Sequence, residues 1–185
     1  QHEAELAFPF RRYHIGRVHR AERAQAGRFH EFYPCDIDVI GSESTVIDAE
    51  FPAIISEIFE QFNFGDFTIR LNNRKVLGGF FESLGLTDKT AEILRVVDKM
   101  EKLERAEIIA ELAKLDLSQV QVDAIMHFTS LVGTNDEILA ALHNVNITNE
   151  KFTEGVTELE MLVTSLRKMG VAEPRFAIDL KIARG

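Results

Sequence analysis

Cysteine and tryptophan are nearly missing from this chain: Cys35 is the one cysteine among 185 residues, and there is no tryptophan. A lone cysteine excludes an intramolecular disulfide and a thiolate metal cluster, and it suits a reducing compartment, so a cytoplasmic location is expected. No apolar run approaches the ~20 residues that a membrane-crossing helix needs, and the first residues lack a signal-peptide pattern, so no membrane partner is expected. His14, His19 and His30 lie near one another, but their spacing is not that of a zinc site, and no metal site is expected. Internal repeats and low-complexity segments are also missing. What the chain does have is 45% hydrophobic residues, enough for a packed core in a length that suits one ordinary domain or a core with a smaller appended unit.

The formal charge of −9 is unevenly spread. Residues 1–30 hold Arg11, Arg12, Arg17, Arg20, Arg23 and Arg28 against Glu3, Glu5 and Glu22, a net +3, whereas the remainder is at −12. A basic segment on an acidic chain predicts an anionic ligand held at one place. Arginine, with its planar fork of donors, is the cation that matches phosphate. The competing interpretation of the same composition is a solvated, arginine-rich strand edge.

Phe8 to Arg20 alternates as a strand, with Tyr13, Ile15 and Arg17 on one face and His14, Gly16 and Val18 on the other. Residues 21–30 are polar and contain Gly27, and Glu31 to Ile40 alternates again, which predicts an antiparallel pair around a long functional loop. Pro34 has no N–H for a ladder, so a bulge or a sheet edge is expected there. Asp48 to Phe62 places Ile54, Ile55, Ile58, Phe59 and Phe62 at helical spacing, predicting a helix with this Phe-rich face in the core and Pro52 near its start. Phe67–Leu71 reads as a short strand, and Lys75–Leu84 as a helix loosened by Gly78 and Gly79.

From Thr87 the pattern is helical only. One helix is expected from Thr87 to about Leu103, and a second along Ile108, Ile109, Leu112 and Leu115. Ser118 with Gln121, and Thr134 with Glu137, fit capping boxes. Asn149 opens a last helix with Leu159, Leu162, Val163, Leu166 and Met169 on one face and Gly170 as its stop. After Pro174, Phe176–Ile182 alternates as a strand. This order predicts an α+β core interrupted by an all-helical insertion, since the final strand needs a sheet to join. The units are 1–86 for the core segment, 87–173 for the insertion, and 174–185 for the strand that returns to the core.

A nucleotide site needs cations for phosphates, an acceptor for the adenine amino group and an apolar face for the ring. Arg20 and Arg28, Glu22 and Phe32 supply those types at the two ends of one loop. Such a set suits nucleotidyl transfer, where positioning and charge neutralisation dominate.

The stretch FPFRRYHIGRVHRAERAQAGRFHEFYPCDIDVIG, Phe8–Gly41, resembles the second signature motif of class II aminoacyl-tRNA synthetases in its histidyl version. The likeness continues in LNNRKVLGG (Leu71–Gly79), VVDKMEKL (Val96–Leu103) and FAIDLKIARG (Phe176–Gly185), the last similar to the run into a histidine-specific Arg-Gly-Leu-Asp-Tyr-Tyr motif. This resemblance to histidyl-tRNA synthetases implies that Arg20 meets the ATP α-phosphate and the pentacoordinate centre. It further implies that Glu22 meets the adenine amino group, Arg28 the γ-phosphate and Phe32 the adenine ring. Asp38 matches the position that reads the substrate imidazole, and Arg184 an arginine near the α-phosphate and the amino-acid carboxylate. Arg23 and Gln25 fall where the loop meets the tRNA acceptor end, and 87–173 matches an insertion that clasps the acceptor stem.

The implied fold is an α+β one, an antiparallel sheet flanked by helices. The implied substrates are ATP with magnesium, histidine and tRNA; the implied assembly of the full-length protein is a homodimer. The implied reaction forms histidyl-adenylate and then charges tRNA. Pro34 departs from the family's glutamine in the histidine pocket, His30 from a common arginine and Ala24 from a common proline. The family's first and third motifs and an anticodon-binding domain belong outside residues 1–185, so the chain alone is expected to be inactive. Two other readings stay open: the synthetase-like regulatory subunit of ATP phosphoribosyltransferase, which generally lacks the insertion, and a tRNA-binding fragment without a nucleotide site. Asp38 paired with an arginine and Arg23 as a solvated loop charge are the corresponding structural alternatives.

Overall fold

The structure, a computed structural model, describes residues 5–21 and 25–183. Its first unit is a long antiparallel hairpin. Strand β1 (Phe10–Ile15) pairs with β4 (Cys35–Ile40), and β2 (Val18–His19) pairs with β3 (Glu31–Phe32). The two strands expected to be continuous are thus each broken once, at Gly16-Arg17 and at Tyr33-Pro34.

One register nevertheless runs through the whole hairpin: Phe10 faces Ile40, Ile15 faces Cys35, Val18 faces Phe32 and His19 faces Glu31. The gaps are of equal length, so of the two expectations for Pro34 no bulge forms, and the residue sits at a ladder break in a sheet of two edge strands. The break has a simple cause. Arg20 N–H donates to the His30 carbonyl at 2.8 Å, marking a hydrogen-bonded pair. Such pairs alternate along an antiparallel ladder, so Gly16 and Pro34 would form another, and Pro34 has no N–H to give.

Facing residues share a face, which puts Arg12, His14, Val18, Arg20, His30, Phe32, Asp36 and Asp38 on one side. Arg11, Tyr13, Ile15, Arg17, Tyr33 and Cys35 are on the other.

Helix α1 (Thr45–Gln61) begins earlier than expected, which puts Pro52 in its interior. Its buried residues are Ala49, Pro52 and Ser56, and it packs on α7 (Glu150–Lys168). Small side chains let the two helices approach closely. The apolar stripe expected in the core is turned outward instead: Ile54, Ile58 and Phe62 are exposed.

Helix α2 (Arg74–Ser83) crosses α7 through glycines: a Cβ on Gly79 would lie 2.4 Å from the Phe152 amide nitrogen, and one on Gly155 2.7 Å from that of Val76. Lys75 reaches Glu154 and Glu158 at 2.6 Å each beside the crossing, and Asn73 caps α2.

Between α2 and α7 lie α3 (Thr90–Val97), α4 (Arg105–Ala113), α5 (Gln119–Thr129) and α6 (Asn135–Asn144). The helix expected to reach Leu103 is a one-turn 3-10 segment, α3, and then turns from Asp98 onward. The capping boxes at Ser118 and Thr134 form as their sequences dictate, and Gly170 stops the chain after α7 at a φ of +83°. Phe80 of α2 stacks on Phe128 of α5 at 4.0 Å, so these helices share one core with α1, α2 and α7. Among the described residues, no helix is long and apolar enough to cross a membrane.

Strand β5 (Ile69–Leu71) pairs with β6 (Phe176–Ile178), and this pair is parallel, beside the antiparallel pairs of the hairpin. Parallel neighbours need a long crossover, and the helical block supplies it. The last strand is shorter than expected, because after Ile178 the chain turns on Asp179, whose carboxylate accepts from Lys181 N–H at 3.0 Å.

Asn135, buried at the start of α6, holds this region. Its Oδ1 accepts from Ile178 N–H at 2.8 Å, and its Nδ2 donates to Glu173 Oε2 at 2.7 Å. Asn135→Ala strands a buried backbone donor, so stability should fall by about 1–3 kcal/mol. Thermal melting should drop by roughly 2–4 °C per kcal/mol. An unchanged melting temperature would show that Ile178 N–H finds another partner.

Candidate functional site

Among the described residues, none of the hairpin is in the core; the buried hydrophobics begin at Ala49. Its described side-chain tie to α1 is a charged one. Arg11 makes a bidentate contact with Glu50 of α1, Nε to Oε2 at 2.7 Å and Nη2 to Oε1 at 2.6 Å. The Arg11 hydrogen bond holds the Glu50 carboxyl below its ordinary range. A depressed carboxyl stabilises the fold above its unfolded pKa, and this contribution is lost as pH falls through the lower folded value. Arg11 ties one face of the hairpin to α1; on the opposite face the Arg12, Arg20 and Asp38 side chains reach solvent, so that face is open at these residues.

On that open face the Arg20 guanidinium stands over the Phe32 ring, 4.8 Å from its centroid. Arg20 and Phe32 meet because they are diagonal neighbours across the ladder. The loop base is closed twice, by Arg20 N–H to the His30 carbonyl and by a 3.0 Å contact between His30 Nδ1 and the Arg20 carbonyl. The loop tip is a four-residue turn, in which Arg28 N–H donates to the Gln25 carbonyl at 2.9 Å and Gly27 takes a φ of +79°. A positive φ at the third turn position is where glycine is favoured. This turn brings Gln25 and Arg28 together at the end of the hairpin.

Further along the same face, Arg12 lies directly opposite Asp38, with Nη2 2.7 Å from Oδ2. On the reverse face Arg17 and His19 both approach Glu31, at 3.2 and 3.1 Å. Elsewhere, a groove of about 630 Å³ runs between Ala53, Glu57 and Glu60 of α1 and residues 169–172, on an acidic surface away from Arg20. Among the described residues, no group of three His, Cys, Asp or Glu is placed to hold a metal ion.

A family model described as histidyl-tRNA synthetase matches residues 1–185. The chain belongs to the histidyl-tRNA synthetase family. Histidine–tRNA ligases of Clostridium tetani and of Nostoc sp. PCC 7120 are 48% and 45% identical to it over all of its length, which is 42% and 41% of theirs. The crystal structure of histidyl-tRNA synthetase from Nostoc sp. PCC 7120 superposes with a TM-score of 0.93 at 42% identity, covering all of this chain and 43% of that one. The chain therefore spans well under half the length of the relatives it matches.

Of the residues that the synthetase resemblance singles out, the structure brings Arg20 and Phe32 into contact and sets Asp38 on the same face. Arg28 and Gln25 lie at the loop tip. Glu22, Arg23 and Arg184 lie outside the described residues. The segment leading to Arg184 is nonetheless anchored: Asp179 N–H donates to the Leu71 carbonyl at 2.9 Å, and Asn72 Nδ2 to the Ile182 carbonyl at 2.8 Å. Asp38 does have an arginine partner, the structural alternative noted for it. Pro34 lies between Phe32 and Asp38 on the open face, half-buried. Sequence reasoning missed Arg12 and the Arg11–Glu50 anchor. Counting back from any one hairpin pair would have found Arg12 opposite Asp38, but that count needs the register.

Proposed function

We propose that the protein containing this chain is a histidine–tRNA ligase, joining histidine to ATP as histidyl-adenylate with release of pyrophosphate and then passing the histidyl group to tRNA. The family match along all 185 residues carries this reading. In it, Arg20 neutralises charge on the α-phosphate as the histidine carboxylate attacks, and Arg28 holds the γ-phosphate. Phe32 supports the adenine ring, Glu22 accepts from its amino group, and Asp38 accepts from the imidazole. Arg184 steadies the α-phosphate and the amino-acid carboxylate. Fixed cations aimed at developing charge act without reorganising, which is where their effect on rate comes from. ATP enters as its magnesium complex, a substrate for which no residue here is assigned as a ligand.

Arg23 and Gln25 at the loop are assigned to the tRNA acceptor end. The unit 87–173 is assigned to the acceptor stem, between the core segments 1–86 and 174–185. The working assembly is a cytoplasmic homodimer.

The test is histidine-dependent ATP–pyrophosphate exchange by the full-length protein. Exchange with histidine is expected; its absence would overturn the ligase reading in favour of a regulatory relative. Asp38→Ala should raise the KM for histidine about tenfold or more, as loss of an acceptor for a desolvated donor predicts, with the KM for ATP unchanged. Equal losses for both substrates would reassign Asp38 to structure.

A further inference from the structure

The hairpin register places Arg12 opposite Asp38, and the two charges meet at 2.7 Å on the open face that also carries Arg20 and Phe32. The contact has an unusual form. Asp38 Oδ2 is shut off from solvent and makes no aligned hydrogen bond, although the guanidinium of Arg12 is against it. The Asp38 side chain as a whole is still 42% exposed, which leaves Oδ1 as the solvent-facing oxygen of the carboxylate. One oxygen is thus pinned by charge and the other left open to an incoming donor. The neighbouring pair on this face, His14 opposite Asp36, lies one ladder step away, and no hydrogen bond or ion pair joins it to Arg12 or Asp38 among the described residues.

We infer that Arg12 is a positioning residue for recognition of the imidazole: it fixes the Asp38 carboxylate in the orientation that keeps Oδ1 free to accept an N–H. This rests on the proposed reading of Asp38. An unpinned aspartate on an open strand rotates about two side-chain torsions, and a ligand that needs one orientation must then order it on binding. Arg12 removes that requirement in advance, as preorganisation does generally. Because the pair is exposed, its loss should leave the fold nearly untouched. Arg12 touches neither Arg20 nor Phe32, so it should not alter nucleotide binding.

The experiment is steady-state exchange kinetics on the full-length protein carrying Arg12→Leu, Arg12→Lys, Asp38→Ala and the double change Arg12→Leu/Asp38→Ala. Arg12→Leu should raise the KM for histidine roughly threefold to tenfold, the size of one side chain's ordering cost. The kcat, the KM for ATP and the melting temperature should stay near those of the parent. Arg12→Lys should recover part of the loss, because it restores the charge without the fork. In the Asp38→Ala background, Arg12→Leu should add nothing, since a residue that acts through another has no effect once the other is gone.

An unchanged histidine KM in Arg12→Leu, beside a raised one in Asp38→Ala, would overturn the role of Arg12 alone. So would an added loss in the double variant, or an equal rise in the KM for ATP. No effect of Asp38→Ala itself would overturn the reading of Asp38 and, with it, the role of Arg12.

Discussion

Replacing Arg20 by alanine in the full-length protein should lower histidine-dependent ATP–pyrophosphate exchange about 100- to 1000-fold, the usual loss when one fixed group is taken from a developing anion. The melting temperature should barely move. Arg20 stands outside the core, at the base of the loop. Its side chain makes one described contact, with the Phe32 ring, of a kind contributing about 0.5–1 kcal/mol when exposed. The bonds that close the loop base use the Arg20 backbone and survive truncation of the side chain. Arg20→Lys keeps the charge but loses the planar fork, so it should restore only part of the rate. If Arg20→Ala exchanges at the parental rate with its fold intact, the α-phosphate role is wrong.

The residue types at this hairpin were legible because the chemistry is local. Alternation marks the strands, a polar glycine-containing stretch marks the loop, and the cations and the aromatic sit at its two ends. The capping boxes at Ser118 and Thr134 were legible for the same reason, since each satisfies amides three residues away. What sequence could not supply was pairing. The register that sets Arg12 against Asp38 follows from the length and turn of the loop, which no single residue fixes. The parallel pairing of β5 with β6 joins strands on either side of the helical block, and the tie from Asn72 to Ile182 spans 110 positions.

Helix α1 shows a second limit. Its isoleucines and phenylalanines have the right spacing for a buried stripe, yet the residues that α1 buries are Ala49, Pro52 and Ser56. Periodicity finds an apolar face but cannot say what covers it, and this chain holds only 42% of the length of its Clostridium tetani relative.

The two adjacent glycines of α2 should respond to alanine with opposite signs. By helix propensity alone, each Gly→Ala change should stabilise by up to ~1 kcal/mol. At Gly78 that gain should survive, because the new Cβ would meet only the flexible end of Lys151, its Cε and Nζ at 3.0 Å. At Gly79 it should not. There the Cβ would lie 2.4 Å from the Phe152 amide nitrogen, 2.7 Å from its Cα and 2.7 Å from Asn149 Oδ1. That Oδ1 caps α7 by accepting from Phe152 N–H at 2.9 Å, so the intruding methyl strikes the cap and the backbone together. Backbone cannot rotate aside as a lysine tip can. The two helices must separate, loosening the core around Phe80, Phe128 and Phe152.

Overpacking of this kind costs about 1–3 kcal/mol or more, enough to outweigh the propensity gain. Gly79→Val should be worse, at about 3 kcal/mol or beyond, which lowers melting by roughly 6–12 °C in a chain of this size. Gly155→Ala, on the facing side of the crossing, should also destabilise, since its Cβ would lie 2.7 Å from Val76 N and 2.8 Å from Lys75 Cβ. Thermal melts of the Gly78 and Gly79 alanine variants decide the matter. If both rise, α2 and α7 are not in close contact at Gly79; if both fall, the Lys151 side chain is less free to move than its exposure implies.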